Sequence, residues 1–173
     1  MEVTPERTCQ VATITGQDRP GILDDVCTVI ERSSGHVLDI RSSDVAGCFA
    51  MLVLYECAET AAPAIAAQLA ELASVSSMRV DIHPAESCPD RQTHLYRLVA
   101  SGPDHVGVLR RLSHLLRVLH INVEHIDTRR EPDAKTTMTL TLGVPKNCPL
   151  TKLREFVAQL FSAHEMDWDL KTV

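Results

Sequence analysis

The chain has 173 residues, of which 45% are hydrophobic and only 3% aromatic, and its formal net charge is −6. That composition supports a globular core and excludes a disordered chain. The scarcity of aromatics argues against a base-stacking nucleic-acid module, and the acidic balance argues against a general nucleic-acid binder. The charge is unevenly divided. Residues 1–84 carry 5 Lys+Arg against 12 Asp+Glu, net −7, and residues 85–173 carry 12 against 11, net +1. The two regions therefore present different surfaces to their surroundings. None of the six cysteines (Cys9, Cys27, Cys48, Cys57, Cys88, Cys148) forms a CxxC pair, and most lie in apolar runs. They read as small hydrophobes in a reducing, cytoplasmic setting. Residues 1–7 hold no apolar signal core and no apolar run is long enough to cross a bilayer, so no membrane partner is expected.

In chain order, residues 1–8 are polar and read as a loose terminus, and residues 10–15 predict a first strand. A loop over 16–20 leads to a helix over 21–33, with Ile22, Leu23, Val26, Cys27 and Ile30 at helical spacing. Asp18 is placed to cap that helix through the Gly21 N–H, and Pro20 suits its first turn. Asp24 and Asp25 favour the positive end of the helix dipole, and Gly35 ends the helix. Residues 36–45 predict a second strand, Ala46-Gly47 a hairpin turn and residues 48–56 a third strand. That third strand is apolar at successive positions from Phe49 to Leu54, which predicts a central strand covered on both faces. A helix from Thr60 to about Ala73 carries Ile65, Leu69 and Leu72, and residues 78–83 form a fourth strand with Met78, Val80 and Ile82 inward.

Residues 85–93 read as a linker between modules spanning 8–84 and 94–173. The second module repeats the order: strand 94–101, helix 106–119, strand 122–130, a turn at Pro132-Asp133, strand 136–144, helix 150–163 and strand 167–171. Its helices carry Val108, Leu109, Leu112, Leu115, Leu116 and Leu119, then Leu153, Phe156, Val157 and Leu160. Aligning Asp18 with Asp104 gives an offset of 86 (104 − 18), which also pairs Gly21 with Gly107 and Leu23 with Leu109. By the last strand the offset is 88 (Trp168 against Val80), and the two added residues are assigned to the hairpin turn. Each module is thus βαββαβ. Right-handed crossovers give an α+β, ferredoxin-like fold: a four-stranded antiparallel sheet in order 4-1-3-2 with two helices on one face.

The spacing D-x-x-G-[IV]-L occurs twice, as Asp18-Arg19-Pro20-Gly21-Ile22-Leu23 and Asp104-His105-Val106-Gly107-Val108-Leu109. A glycine before a helix leaves N–H donors uncovered where carboxylate or phosphate can dock. Asp18, Asp104 or strand carbonyls would receive an ammonium group, so each loop suits an amino-acid zwitterion. The competing reading is a capped helix packed closely on its sheet. No recognised metal spacing occurs among the eight histidines, and His36 and His125 read as surface or packing residues. Asp18 and Asp104 form no evident acid/base pair, and no phosphate-loop, Rossmann or nucleophile-elbow motif is present. An RNA-recognition motif shares the topology but needs stacking aromatics, which the strand over 136–144 lacks. An acylphosphatase would use an arginine such as Arg19, which His105 does not repeat.

The stretch from Thr15 to Leu23, followed by a helix and Val37-Leu38-Asp39-Ile40, resembles the opening of an ACT domain, a small amino-acid-sensing module. Two such modules with no attached enzyme resemble the family of glycine cleavage system transcriptional repressors. The resemblance implies a non-enzymatic regulator in which a small amino acid, glycine among the candidates, binds at module seams near the glycine loops. It also implies contact with a protein partner such as a transcription factor, no direct nucleic-acid contact and no cofactor. Exposed strand edges add a homodimer to these expectations. The second module departs from the pattern: His105 and Val106 replace Arg19 and Pro20, and Arg110 and Arg111 replace Asp24 and Asp25. Cations there oppose the helix dipole, so Arg110 and Arg111, with Arg117, are candidate contacts for an acidic partner surface or an anion; the competing reading is that Arg110 and Arg111 point into solvent. The runner-up function is an interaction scaffold that has kept the fold and lost the ligand.

Overall fold

The computed structural model describes residues 6–85 and 93–173, and the chain divides into two compact units, Met1–Pro89 and Asp90–Val173. The first unit runs β1 (Arg7–Gln17), α1 (Ile22–Arg32), β2 (His36–Val45), β3 (Cys48–Ala58), a single 3-10 turn (Glu59–Ala61), α2 (Ala62–Val75) and β4 (Arg79–Pro84). The second runs β5 (Thr93–Pro103), α3 (Val108–Val118), β6 (Asn122–Arg130), β7 (Lys135–Pro145), α4 (Leu150–Ser162) and β8 (Asp167–Thr172). Each unit holds one antiparallel sheet, in the orders β2-β3-β1-β4 and β6-β7-β5-β8. This is the expected α+β architecture of two ferredoxin-like modules. Most of the linker expected at 85–93, and Cys88 with it, lies outside the described residues.

The helices bury residues four apart: Ile22, Val26 and Ile30 on α1; Ile65, Leu69 and Ala73 on α2; Val108, Leu112 and Leu116 on α3; Leu153, Val157 and Phe161 on α4. The strands supply alternate residues to the same two cores, such as Ala12, Ile14, Met51 and Val53 in one and Leu98, Ala100, Leu140 and Leu142 in the other. Each fully buried aliphatic side chain contributes roughly 1.5–3 kcal/mol, so these faces hold each module together.

Several expectations are corrected. The ladder between β1 and β3 runs from Arg7↔Ala58 to Gln17↔Cys48, so residues 7, 8, 16 and 17 are strand rather than loose terminus or loop. Strand β3 is central, but its residues alternate between core and surface. Met51, Val53, Tyr55 and Cys57 are buried, whereas Leu52 on the opposite face is 48% exposed. Both helices lie over the inner face, so an apolar run did not mean a strand covered on both sides. Phe156 is likewise exposed, and Phe161 takes the core place on α4. The two added residues are also separate. β3 and β7 are related by 87 (Met138 against Met51), and α2 and α4 by 88 (Leu153 against Ile65). One insertion therefore falls in the hairpin and the other between β7 and α4.

All four described α-helices end alike. Ser34, Ser77, His120 and Glu165 adopt left-handed φ values of 52° to 60°. The next residue's N–H then bonds back five residues, as in Gly35 to the Ile30 carbonyl and Ile121 to the Leu116 carbonyl, both at 2.9 Å. Gly35 was expected to supply the left-handed turn, but Ser34 does. The glycine is required instead for close packing, because a Cβ there would lie 2.6 Å from Ile30 Cγ2.

Candidate functional site

The two glycine loops leave the ends of β1 and β5 and enter α1 and α3. Gly21 and Gly107 occupy the N-cap positions with φ of 92° and 91°, and neither helix has a side-chain cap. Asp18 therefore does not cap α1, and Pro20 precedes the N-cap rather than opening the helix. The glycine is needed because the chain reverses into the helix through left-handed φ, which strains any residue with a Cβ. The aspartates anchor the loops through their backbones. Asp18 N–H donates to the Gly47 carbonyl at 3.2 Å, and Asp104 N–H to the Ala134 carbonyl at 3.1 Å. Each loop is thus tied to the hairpin of its own module.

What fills the loops differs. In the first, Arg19 Nη2 bonds Asp25 Oδ2 at 2.7 Å and Ser76 Oγ at 3.1 Å, while Nη1 donates to the Pro20 carbonyl at 3.2 Å. The guanidinium lies beside Gly21, 3.8 Å from where a Cβ would sit. In the second loop the equivalent positions hold His105, Arg111 and His164. The His105 and His164 rings meet edge-on at 5.5 Å. His164 Nδ1 is 2.7 Å from the Leu160 carbonyl, to which it must donate, leaving neutral Nε2 to accept from Arg111 Nη1 at 3.4 Å. Among the described residues, nothing lies within 4 Å of a Cβ built on Gly107.

Beside it is a cavity of about 310 Å³, lined by Asp104, His105, Val106, Gly107, Val108 and Leu109 from the loop. Pro103, Thr128, Arg129, Arg130, Thr136, Met138 and Met166 complete its wall. All six loop residues singled out in this module are thus brought together. Val108, Met138 and Met166 are buried and make an apolar floor. Arg130 Nε pairs with Asp104 Oδ2 at 3.3 Å, so a carboxylate and a guanidinium face the same space. The N–H groups of Leu109 and Arg110 have no backbone acceptor among the described residues, as befits the first turn of a helix. Of the equivalent residues in the first module, Ile22 is core and Leu23 is 49% exposed. Arg130 and His164 were not singled out in the sequence. The offset of 88 that matches His164 to Ser76 was the signal available for the second of them.

The three candidate partner arginines do not act alike. Arg111 is engaged by His164, Arg117 Nη2 lies 3.3 Å from His114 Nδ1, and Arg110 has no side-chain partner among the described residues. Burial raises the thiol pKa of Cys57 and Cys148. It also raises that of Cys27, which Glu31 and Asp24 push the same way. A raised pKa disfavours the thiolate, so none of the three is an activated nucleophile. The described cysteines are free, and no group of three or more metal-ligating side chains occurs among the described residues. No described helix is long and apolar enough to cross a membrane.

Fold and loops together define a protein of two like βαββαβ modules, each with a glycine-led turn into its first helix. The family model of the ACT domain matches residues 9–83, nearly the whole first module. Among solved structures, an unknown protein from Galdieria sulphuraria shares 22% identity, with 97% of this chain and 99% of that chain covered and a TM-score of 0.82. A protein assigned as a glycine cleavage system transcriptional repressor shares 17% identity over 96% and 98% of the two chains, with a TM-score of 0.76. At these identities the likeness is one of fold, and it extends over both modules. No curated protein matches the chain.

Proposed function

We propose that this chain is a non-enzymatic, cytoplasmic regulatory protein that binds a small amino acid in the second-module loop and reports its presence to a protein partner. The observation that carries the reading is the cavity at Gly107, where Asp104, Arg130, the first turn of α3 at Leu109 and an apolar floor face one space. A zwitterion would separate the Asp104–Arg130 pair, its ammonium on Asp104 and its carboxylate on Arg130 and the Leu109 N–H. Charge-assisted contacts of this kind are the stronger class of hydrogen bond. The regulatory class is supported by the ACT match. Glycine as a candidate ligand and a transcription factor as a candidate partner come from the likeness to the repressor fold. The first loop, held by Arg19, is assigned a structural role. Coupling to the partner requires that the ligand favour one of two states of the protein.

Thermal unfolding in the presence of each of the twenty amino acids tests the reading. A ligand confined to the folded state at a hundred times its Kd adds about 2.7 kcal/mol. Asp104→Asn and Arg130→Ala should each abolish that gain, and Asp18→Asn should leave it intact. If no amino acid stabilises the protein, the scaffold reading replaces this one.

A further inference from the structure

The cavity at Gly107 is polar at its mouth and apolar below. The side chains of Asp104 and Arg130 are 40% and 71% exposed, whereas Val108, Met138 and Met166 keep at most 6%. The strand ladders show why the floor is open. Across the β6–β7 pair Met138 lies opposite Thr128 and Thr136 opposite Arg130, and across the β5–β7 pair Thr136 lies opposite Gly102. In the first module the residue opposite Gly16 on one side and Asp44 on the other is Phe49. Phe49 therefore stands where Thr136 stands. It is half-buried and packs against the first core. Thr136 is shorter, so it leaves room beside Met138, and the cavity takes up that room. Asp44 likewise stands where Arg130 stands, so an acid replaces the guanidinium at that place in the first module.

We infer that the second-module cavity selects an amino acid with a large apolar side chain, such as leucine, methionine or phenylalanine, over glycine. The inference rests on the amino-acid reading of this site and names the class of ligand it takes. The charged groups lie at the mouth, so the ligand's ammonium stays there on Asp104, and its carboxylate on Arg130 and the Leu109 N–H. Its side chain then points down to Val108, Met138 and Met166, in the place that the Phe49 side chain takes in the first module. Each CH2 removed from water on that floor is worth about a factor of four in affinity. Glycine, the candidate suggested by likeness of fold, reaches only the mouth and leaves the floor unfilled. A charged side chain would lose its hydration against the floor and gain no partner there. Two of the three floor residues are methionines, whose unbranched side chains adjust to aliphatic or aromatic shapes. Thr136 is thus a specificity-determining residue, because its size sets how deep a side chain enters.

Calorimetric titration of the full chain with leucine, phenylalanine, glycine and aspartate tests this. Leucine and phenylalanine should bind roughly a hundredfold tighter than glycine, and aspartate no tighter than glycine. Thr136→Phe, which copies the first module, should weaken leucine binding at least about tenfold with unchanged circular dichroism. Thr136→Val, of similar size to the native residue, should keep it. The order among the four amino acids needs only the wild type, so it stands whether or not a variant folds. If glycine or aspartate binds as tightly as leucine, the inference is overturned while the amino-acid reading stands. It is also overturned if a folded Thr136→Phe binds leucine as the wild type does. If none of the four binds, the inference is overturned, and the thermal survey of all twenty amino acids decides whether the reading falls with it.

Discussion

In the first module Arg19 reaches back from its loop to Asp25 and Ser76, whereas in the second His105 stands against His164, which Arg111 holds. The backbones match closely, down to a glycine φ of 92° against 91° and an aspartate N–H bonded to the hairpin. The same three positions form a lock in both loops. A long guanidinium fills the space next to one glycine, and an imidazole pair leaves the space next to the other open. The duplicated backbone therefore fixes where a site can exist, and a few side chains decide whether it is open.

The sharpest way to separate the modules is at the glycine before each loop. A Cβ on Gly102 would lie 2.8 Å from Met166 Cα and 2.9 Å from the Glu165 carbonyl oxygen, both backbone atoms that cannot turn aside. On Gly16 the nearest atom is Met78 Cγ at 2.9 Å, in a flexible side chain, with Met78 Cα at 3.3 Å. Gly102→Ala should cost about 1–3 kcal/mol in urea unfolding and Gly16→Ala distinctly less. Equal losses would mean the close approach is not what distinguishes them.

Arg19→Ala removes one ion pair and two hydrogen bonds at a site where both charged partners are 38% exposed. Screening by solvent limits the loss to about 0.5–1 kcal/mol. If the guanidinium is the barrier at the first loop, calorimetric titration with the ligand should show a second binding event in this variant. His105→Arg is the reciprocal change, and should weaken ligand binding while leaving the unfolding midpoint within a degree or two.

The smallest effect is expected at Tyr55. Its hydroxyl is buried with no hydrogen-bond partner among the described residues, and the equivalent residue in the second module, Leu142, has no hydroxyl. Tyr55→Phe should be neutral or slightly stabilising, because an unsatisfied polar group leaves the core. Burial, with a smaller contribution from Cys57, pushes the Tyr55 pKa up to about 12. An acid whose pKa is raised by folding stabilises the native state fully below its unfolded value. That contribution is lost as pH rises from about 10 towards 12. Absorbance near 295 nm should show one tyrosine ionising late, and the Phe variant should lose less stability over the same range.

Much of this organisation is legible in the sequence because both of its signals are local. Glycine spacing marks the turns, and residues four apart mark the helix faces, so the βαββαβ order and the repeat emerge together. The failures came where a residue's role depends on distant chain. Arg19 is held by Ser76, 57 positions on, and the Arg130 that pairs with Asp104 comes from the far end of β6. Asp18 looked like a helix cap from spacing alone, yet the strand continues to Gln17 and its backbone is claimed by the hairpin. Leu52 shows the limit of hydrophobicity itself, since an apolar residue in a central strand can still face outward.

The four helix ends carry a different lesson, about reserve. Ser34, Ser77, His120 and Glu165 each hold a conformation that glycine would adopt without penalty, at a cost of roughly 1 kcal/mol apiece. They stand at four separate corners, so the penalties should sum with little cross-talk. The chain thus keeps unspent robustness at its helix exits, and a glycine graft at Ser34 and His120, away from the residues that hold the loops, would harden the protein without touching either loop.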